Sequence, residues 1–261
     1  DRICHRHIDV SFGGKAGSYI LSLLRNLKMP LITTLHTILE NPNAHQQRVM
    51  DQLLAISDYV VVMSQKGEEI LHNSYKTPRD KVRLIPHGIP DVSFIDPNFY
   101  KDQYGVEGKT VILTFGLLAP NKGIETVLRA LPGVVKDYPN VVYLVAGVTH
   151  PNLLRHEGEK YRISLQRLAD ELGVAEHVIF HNKFVPAEEL KELIVLADIY
   201  ITPYLDEAQM TSGTLAYSFG AGNAVISTPF WHAEELLADG RGILVPFNDP
   251  DSITQAIIRL I

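Results

Sequence analysis

Seven consecutive residues, Gln209-Met210-Thr211-Ser212-Gly213-Thr214-Leu215, carry the clearest chemical signal in this chain. They lie between an apolar run ending at Tyr204 and a helical stretch through Tyr217, so the first backbone N–H groups of a helix point out of this segment. Ser, Gly and Thr leave those amides accessible, and no acidic residue follows Glu207 before the helix, a pattern that suits a diphosphate. Thr211 or Ser212 acting as a plain N-cap accounts for the same residues without any ligand. A second segment, Gly116-Leu117-Leu118-Ala119-Pro120-Asn121-Lys122-Gly123, also joins a strand to a helix. Lys122 stands there where a cation could neutralise phosphate, although a solvated lysine ahead of a helix is the bland alternative.

Two histidines follow apolar runs. His5-Arg6-His7 closes the opening run and leads to Phe12-Gly13-Gly14, a turn that lets backbone approach a ligand. His36 follows Leu31–Leu35, and its alternative is a core-edge histidine bonded to a neighbouring loop. His45, His72, His150, His156 and His177 are scattered and lack a spacing such as His-Glu-x-x-His, so no metal is expected.

These residues need elements to hold them. Short β-branched runs alternate with amphipathic stretches along the chain, which predicts an α/β fold of parallel sheets covered by helices on both faces. In the first part, strands are expected at Pro30–Leu35, Tyr59–Met63 and Val82–Ile85, with helices at Gly17–Leu27, Ala44–Ile56 and Gln65–Asn73. Pro86-His87-Gly88-Ile89-Pro90 continues neither element, and the polar, aromatic Asp91–Tyr104 reads as a linker. The expected domains are therefore residues 1–93 and 94–261.

The second domain has a fuller rhythm. Strands are expected at Thr110–Phe115, Val141–Ala146, Val178–His181, Ile199–Pro203, Ala224–Ser227 and Gly242–Val245. Helices are expected at Gly123–Lys136, Tyr161–Leu172, Ala187–Ala197, Ser212–Gly220, Ala233–Asp239 and Asp251–Ile261. Such a doubly wound sheet binds ligands at the carboxyl ends of its strands. The loop Asn182-Lys183-Phe184-Val185 ends one of them, where such a ligand would sit.

Composition narrows the partners. The 261 residues are 46% hydrophobic and 21% charged, ordinary for a globular chain, and 24 Lys plus Arg against 30 Asp plus Glu gives −6. No Lys/Arg run exceeds two residues, so a nucleic-acid partner is not expected. The single cysteine, Cys4, excludes an internal disulfide framework and fits a reducing cytosol. No apolar run approaches the roughly 20 residues needed to span a bilayer. The chain starts without Met at a strand, which suggests truncation.

Taken in order, these segments resemble the retaining glycosyltransferases of family 4, in the mannosyltransferase-like subgroup. The resemblance runs through Thr33-Thr34-Leu35-His36, Ile85-Pro86-His87-Gly88-Ile89, Gly116 to Gly123, Gly222-Asn223-Ala224-Val225-Ile226-Ser227-Thr228, Glu234-Glu235-Leu236 and Gly242 to Pro250. It implies two Rossmann-like domains of the GT-B kind, the N-terminal one incomplete. It further implies transfer of a hexose, mannose weakly favoured, from a GDP- or UDP-sugar to a saccharide or lipid-linked acceptor, with retention and no cofactor. The implied catalytic residues are His7, His36 and Glu207. The implied donor contacts are Gly116, Lys122, Phe184, Gln209, Thr211, Ser212, Gly213, Thr214, Leu215 and Tyr217.

Two departures stand out. The family's cation ahead of the loop lysine is here Leu117, and its two glutamates eight positions apart become Gln209 and Tyr217, with Glu207 close enough to substitute. The implied setting is cytoplasmic, with peripheral association at the inner membrane face through a missing N-terminal segment left open. Two other readings stay open as well, a GT-B epimerase or phosphorylase and a nucleotide-sugar-binding fragment without turnover.

Overall fold

The computed structural model describes residues 3–5, 13–92 and 95–261. Its contacts divide the chain into two compact units, one of residues up to His87 together with Ala208–Ser212, the other of Gly88–Glu207 and Gly213–Ile261. The second unit thus begins six residues ahead of residue 94, where the sequence suggested a boundary.

The first unit holds four parallel strands, β1 (Ile3–His5), β2 (Ile32–Leu35), β3 (Tyr59–Val62) and β4 (Val82–Leu84), paired in that order. Helices α1 (Ile20–Leu24), α2 (Ala44–Ile56) and α3 (Gln65–Asn73) connect them. The helix expected over Gly17–Leu27 shrinks to α1, and its expected first residue, Gly17, has a left-handed φ of 72° that keeps it out of the helix. By contrast α2 and α3 match their expected bounds, since each begins at a working cap. Asn43 forms a capping box with Gln46, and Ser64 Oγ accepts from Gly67 N–H at 3.2 Å.

The second unit is built on six parallel strands: β5 (Thr110–Phe115), β6 (Val141–Ala146), β7 (Val178–His181), β8 (Ile199–Thr202), β9 (Ala224–Ser227) and β10 (Ile243–Leu244). Their spatial order is β10-β9-β8-β5-β6-β7, so the chain winds outward one way from β5, then returns to β8 and winds the other way. The strand order reverses between β5 and β8, and a ligand crevice is expected at their carboxyl ends.

Period-two alternation gives this sheet two cores. Val111, Leu113 and Phe115 of β5 point to one face with Val142, Leu144 and Ala146 of β6, while Ile112, Val141, Tyr143 and Val145 point to the other. Helices α5 (Ile124–Val135), α7 (Lys160–Glu171) and α11 (Pro250–Leu260) cover the second face through Val127, Leu165 and Ile257. Helices α8 (Ala187–Leu196), α9 (Gly213–Gly220) and α10 (Trp231–Leu236) cover the first through Leu193, Leu215 and Ala233. Burial on both faces is why β6 reads as an unbroken apolar run and β8 as one up to Thr202.

Two helices correct the sequence reading. Helix α4 (Pro97–Gln103) lies inside the stretch Asp91–Tyr104 that reads as a linker, with Asp96 accepting from Asn98 N–H at 2.9 Å and Pro97 in the first turn. It packs on α8, and Lys101 Nζ donates to both oxygens of Asp198, at 2.9 and 2.7 Å, and to the Lys109 carbonyl at 2.9 Å. Asp198 also accepts from Val111 N–H at 2.7 Å, which ties α4 to the amino end of β5. Helix α6 (Pro151–Glu157) is capped by His150, whose Nδ1 accepts from Asn152 N–H at 3.2 Å.

Candidate functional site: the strand ends of the second sheet

Pairing between β5 and β6 continues past both strands. Gly116 N–H donates to the Ala146 carbonyl at 2.9 Å, Leu118 N–H to Val148 at 2.8 Å, and His150 N–H to Leu118 at 2.8 Å. The two loops approach so closely that a Cβ on Gly147, at φ 142°, would lie 1.9 Å from the Gly116 carbonyl oxygen. Only glycine fits there. The loops open into a cleft of about 120 Å³ lined by Gly116, Leu117, Gly147, Val148, Phe184 and Val185. Phe184 is 75% exposed, an unusual cost for an aromatic ring that a flat ligand stacked on it would relieve.

The polar neighbours of the cleft are ordered around one carboxylate. Glu189 Oε1 accepts from Lys183 Nζ at 2.9 Å and pairs with His181 Nε2 at 2.8 Å. The Lys183 hydrogen bond, followed by that of His181, holds the Glu189 carboxyl below the ordinary glutamate range despite partial desolvation.

At the reversal point the loop after β5 crosses the end of β8. Gly123 has φ 65°, and a Cβ there would lie 2.0 Å from the Pro203 carbonyl oxygen. Leu205 N–H donates to the Asn121 carbonyl at 3.0 Å, fixing the crossing. Lys122 Nζ therefore stands 3.8 Å above the centre of the Tyr204 ring. Tyr204 in turn stacks on Phe230, with centroids 5.1 Å apart and planes at 19°, and its hydroxyl lies 3.0 Å from Thr214 Oγ1 in the first turn of α9. One ring thus ties the lysine after β5 to the helix start after β8, which brings a cation beside the positive end of a helix.

The expected site residues distribute as follows. Gly116 and Phe184 line the cleft, and Lys122 and Thr214 meet around Tyr204. Gly213 opens α9, Leu215 is fully buried beneath it, and Tyr217 packs against the core of that face. Gln209, Thr211 and Ser212 group with the first unit, so the segment read as one cradle belongs to both units. Gln209 Nε2 donates to the Thr211 carbonyl at 2.7 Å, while Thr211 Oγ1 is buried with no hydrogen-bond partner among the described residues. The Glu207 side chain is exposed, and its carbonyl accepts from Trp231 N–H at 3.0 Å. His36 is half-buried just after β2, and His7 lies outside the described residues.

Sequence reasoning missed Tyr204, Phe230 and Gly147. Ala146-Gly147 directly after a fully apolar strand was the available signal for the last, whereas nothing local marks Phe230 as the partner of Tyr204. Among the described residues no group of three or more His, Cys, Asp or Glu side chains could hold a metal ion, and no helix is long and apolar enough to cross a membrane.

Comparison with known proteins bears directly on this geometry. Residues 109–261 match the family model described as glycosyl transferases group 1, and residues 5–92 match glycosyltransferase family 4. The chain belongs to the group 1 glycosyltransferases. A curated relative, the GDP-mannose-dependent alpha-(1-6)-phosphatidylinositol monomannoside mannosyltransferase of Mycolicibacterium smegmatis, is 30% identical over 69% of this chain and 47% of its own. The phosphatidyl-myo-inositol mannosyltransferase of the same organism is 30% identical over 68% of this chain and 42% of its own. This group 1 glycosyltransferase chain spans about half the length of the curated relatives it matches. Anabaena HepE, solved in complex with UDP, shares the fold with a TM-score of 0.75 at 20% identity, over 94% of this chain and 65% of that one. The fold is GT-B, mixed α/β with parallel Rossmann-like sheets.

Proposed function

We propose that the second unit binds a nucleoside-diphosphate sugar and that the protein transfers the hexose, with retention, to a saccharide or lipid-linked acceptor. One observation carries the reading: an apolar slot with an exposed aromatic ring and a lysine beside a helix start occupy neighbouring strand ends of one sheet. The slot suits a base stacked on Phe184. The lysine and the α9 amides suit a diphosphate. Thr211, Ser212 and Gln209 would complete the phosphate and sugar contacts from the preceding segment, with Glu207 as the alternative carboxylate.

Retention follows if the acceptor hydroxyl attacks the anomeric carbon on the face that the diphosphate leaves. The new C–O bond forms as the bond to the β-phosphate breaks, and a departing phosphate oxygen takes the hydroxyl proton. His7 and His36 would orient the sugar. No cofactor is invoked, because the donor carries its own leaving group. The two Mycolicibacterium relatives favour mannose, GDP and a lipid-linked acceptor, while the HepE complexes keep UDP in play. A cytoplasmic protein at the inner membrane face would meet such an acceptor.

The test is calorimetric titration with GDP and UDP, followed by transfer from the matching mannosyl and glucosyl donors with the anomer read by NMR. Nucleotide binding and an axial product from an axial donor are expected. Absence of binding by both nucleotides would refute the reading.

A further inference from the structure

Helix α9 is weak on its own account. It has eight residues, starts on Gly213 and ends on Gly220, and only Leu215 and Ala216 among them are strong helix formers. Its first turn therefore depends on contacts outside the helix. The Tyr204 hydroxyl, 3.0 Å from Thr214 Oγ1, supplies one from within the second unit.

A second anchor lies in the chain just ahead. Residues Ala208–Ser212 belong to the first unit, although Glu207 before them and Gly213 after them belong to the second. Burial deepens along this excursion, from an exposed Ala208 to Met210 at 2%. Gln209 Nε2 donates to the Thr211 carbonyl at 2.7 Å and closes a turn with Met210 at its apex. The Met210 thioether is seated against Gly67 in the first turn of α3. A Cβ on Gly67 would lie 3.2 Å from Met210 Sδ, 3.2 Å from Ser64 Oγ and 3.4 Å from Ile38 Cδ1. Gly67, Ser64 and Ile38 are all buried, so the seat is part of the first unit's core. An unbranched, polarizable side chain fills such a seat without strain. Met210 stands three positions ahead of Gly213, and a chain of that length spans at most roughly 11 Å. Fixing Met210 thus confines the start of α9.

We propose that Met210 is a positioning residue for the diphosphate, holding the start of α9 through its seat on Gly67. The ligand rests on the glycosyltransferase reading, whereas the anchor does not.

The experiment follows amide hydrogen exchange, and calorimetric binding of UDP and GDP, in the full chain as the parent, Met210→Ala and Met210→Leu. Within the helix the amides of Tyr217 and Ser218 bond back to Gly213 and Thr214, so their exchange reports opening of the first turn. Met210→Ala should speed that exchange at least about tenfold, while Val60 in β3 and Leu113 in β5 keep their protection. The same variant should bind the diphosphate about tenfold more weakly and the bare nucleoside as before. Met210→Leu, which conserves volume, should restore both signals. If the alanine variant does not fold, Met210→Val is read by the same two signals.

Unchanged exchange at Tyr217 and Ser218 would overturn the proposal. Protection lost equally from both sheets would also overturn it, making Met210 a plain core residue. Unchanged affinity for a diphosphate that the parent binds would defeat the positioning role and leave the glycosyltransferase reading standing. A parent that binds neither nucleotide would overturn the donor reading, and selective opening of α9 in that chain would still uphold the anchor.

Discussion

Replacing Lys122 by alanine separates phosphate recognition from folding. The ammonium group lies 3.8 Å above the Tyr204 ring, and the side chain is only partly buried. Its apo-state contribution is then a cation–π contact of about 0.5–1 kcal/mol. In the donor complex the same group would bond a phosphate oxygen, which contributes about 1.5–3 kcal/mol for a charged partner. Lys122→Ala should therefore weaken UDP or GDP binding about tenfold to a hundredfold and leave the bare nucleoside nearly unaffected. Unfolding in urea should lose no more than about 1 kcal/mol. Calorimetry with the diphosphate and the nucleoside on both proteins measures the difference, and Lys122→Arg should recover part of it because the charge remains. Equal losses for both ligands would refute the reasoning, since the lysine would then act through the Tyr204–Phe230 stack rather than on phosphate.

Other expectations follow from the same geometry. Phe184→Ala should weaken nucleoside binding by about 1–2 kcal/mol, the scale of base stacking on an aromatic ring, while leaving the melting temperature unchanged; a lowered melting temperature would mean the ring supports the fold. Gly147→Ala should cost about 2–4 kcal/mol in chemical denaturation, because the new Cβ meets the Gly116 carbonyl at a φ of 142°. Lys101→Met should cost about 1–3 kcal/mol, below the range for fully buried pairs because the Asp198 side chain is 36% exposed. The Glu189 carboxyl is depressed by Lys183 and His181, so its contribution is complete above the ordinary glutamate value and lost as pH falls below it. Stability profiles of the parent and Glu189→Gln should thus converge on acidification through that window, and parallel profiles would refute the assignment.

The regular elements were legible where a single period ran between clear caps. Ala44–Ile56 carries Asn43 and Gln46 at its start, and Val141–Ala146 is an apolar run too short for a helix. Two helices were not legible: Asp91–Tyr104 reads as a linker and no element is expected over Pro151–Glu157, yet Pro97 and Pro151 each occupy the first turn of a helix, where proline loses no hydrogen bond. Helix α10 begins at Trp231 rather than the expected Ala233 and ends before Asp239, whose left-handed φ of 58° closes the segment. At the site, loop positions were legible because they follow strands. The contact of Lys122 was not, since Tyr204, itself stacked on Phe230, reaches it from another loop and only the strand order brings them together.

The lysine of α4 has a consequence for modular exchange. The family match begins at residue 109, yet Lys101 grips Asp198 and the amino end of β5 from upstream of that point. Cutting at 109 would strip a side chain from an acid that the sheet has already oriented and would uncover the α8 surface beneath α4. A chimera that transplants the second unit onto a different first unit must therefore carry the segment from Asp96 onward. Shuffling at the apparent family border would divide a single cooperative piece, whereas shuffling just before it would move that piece whole.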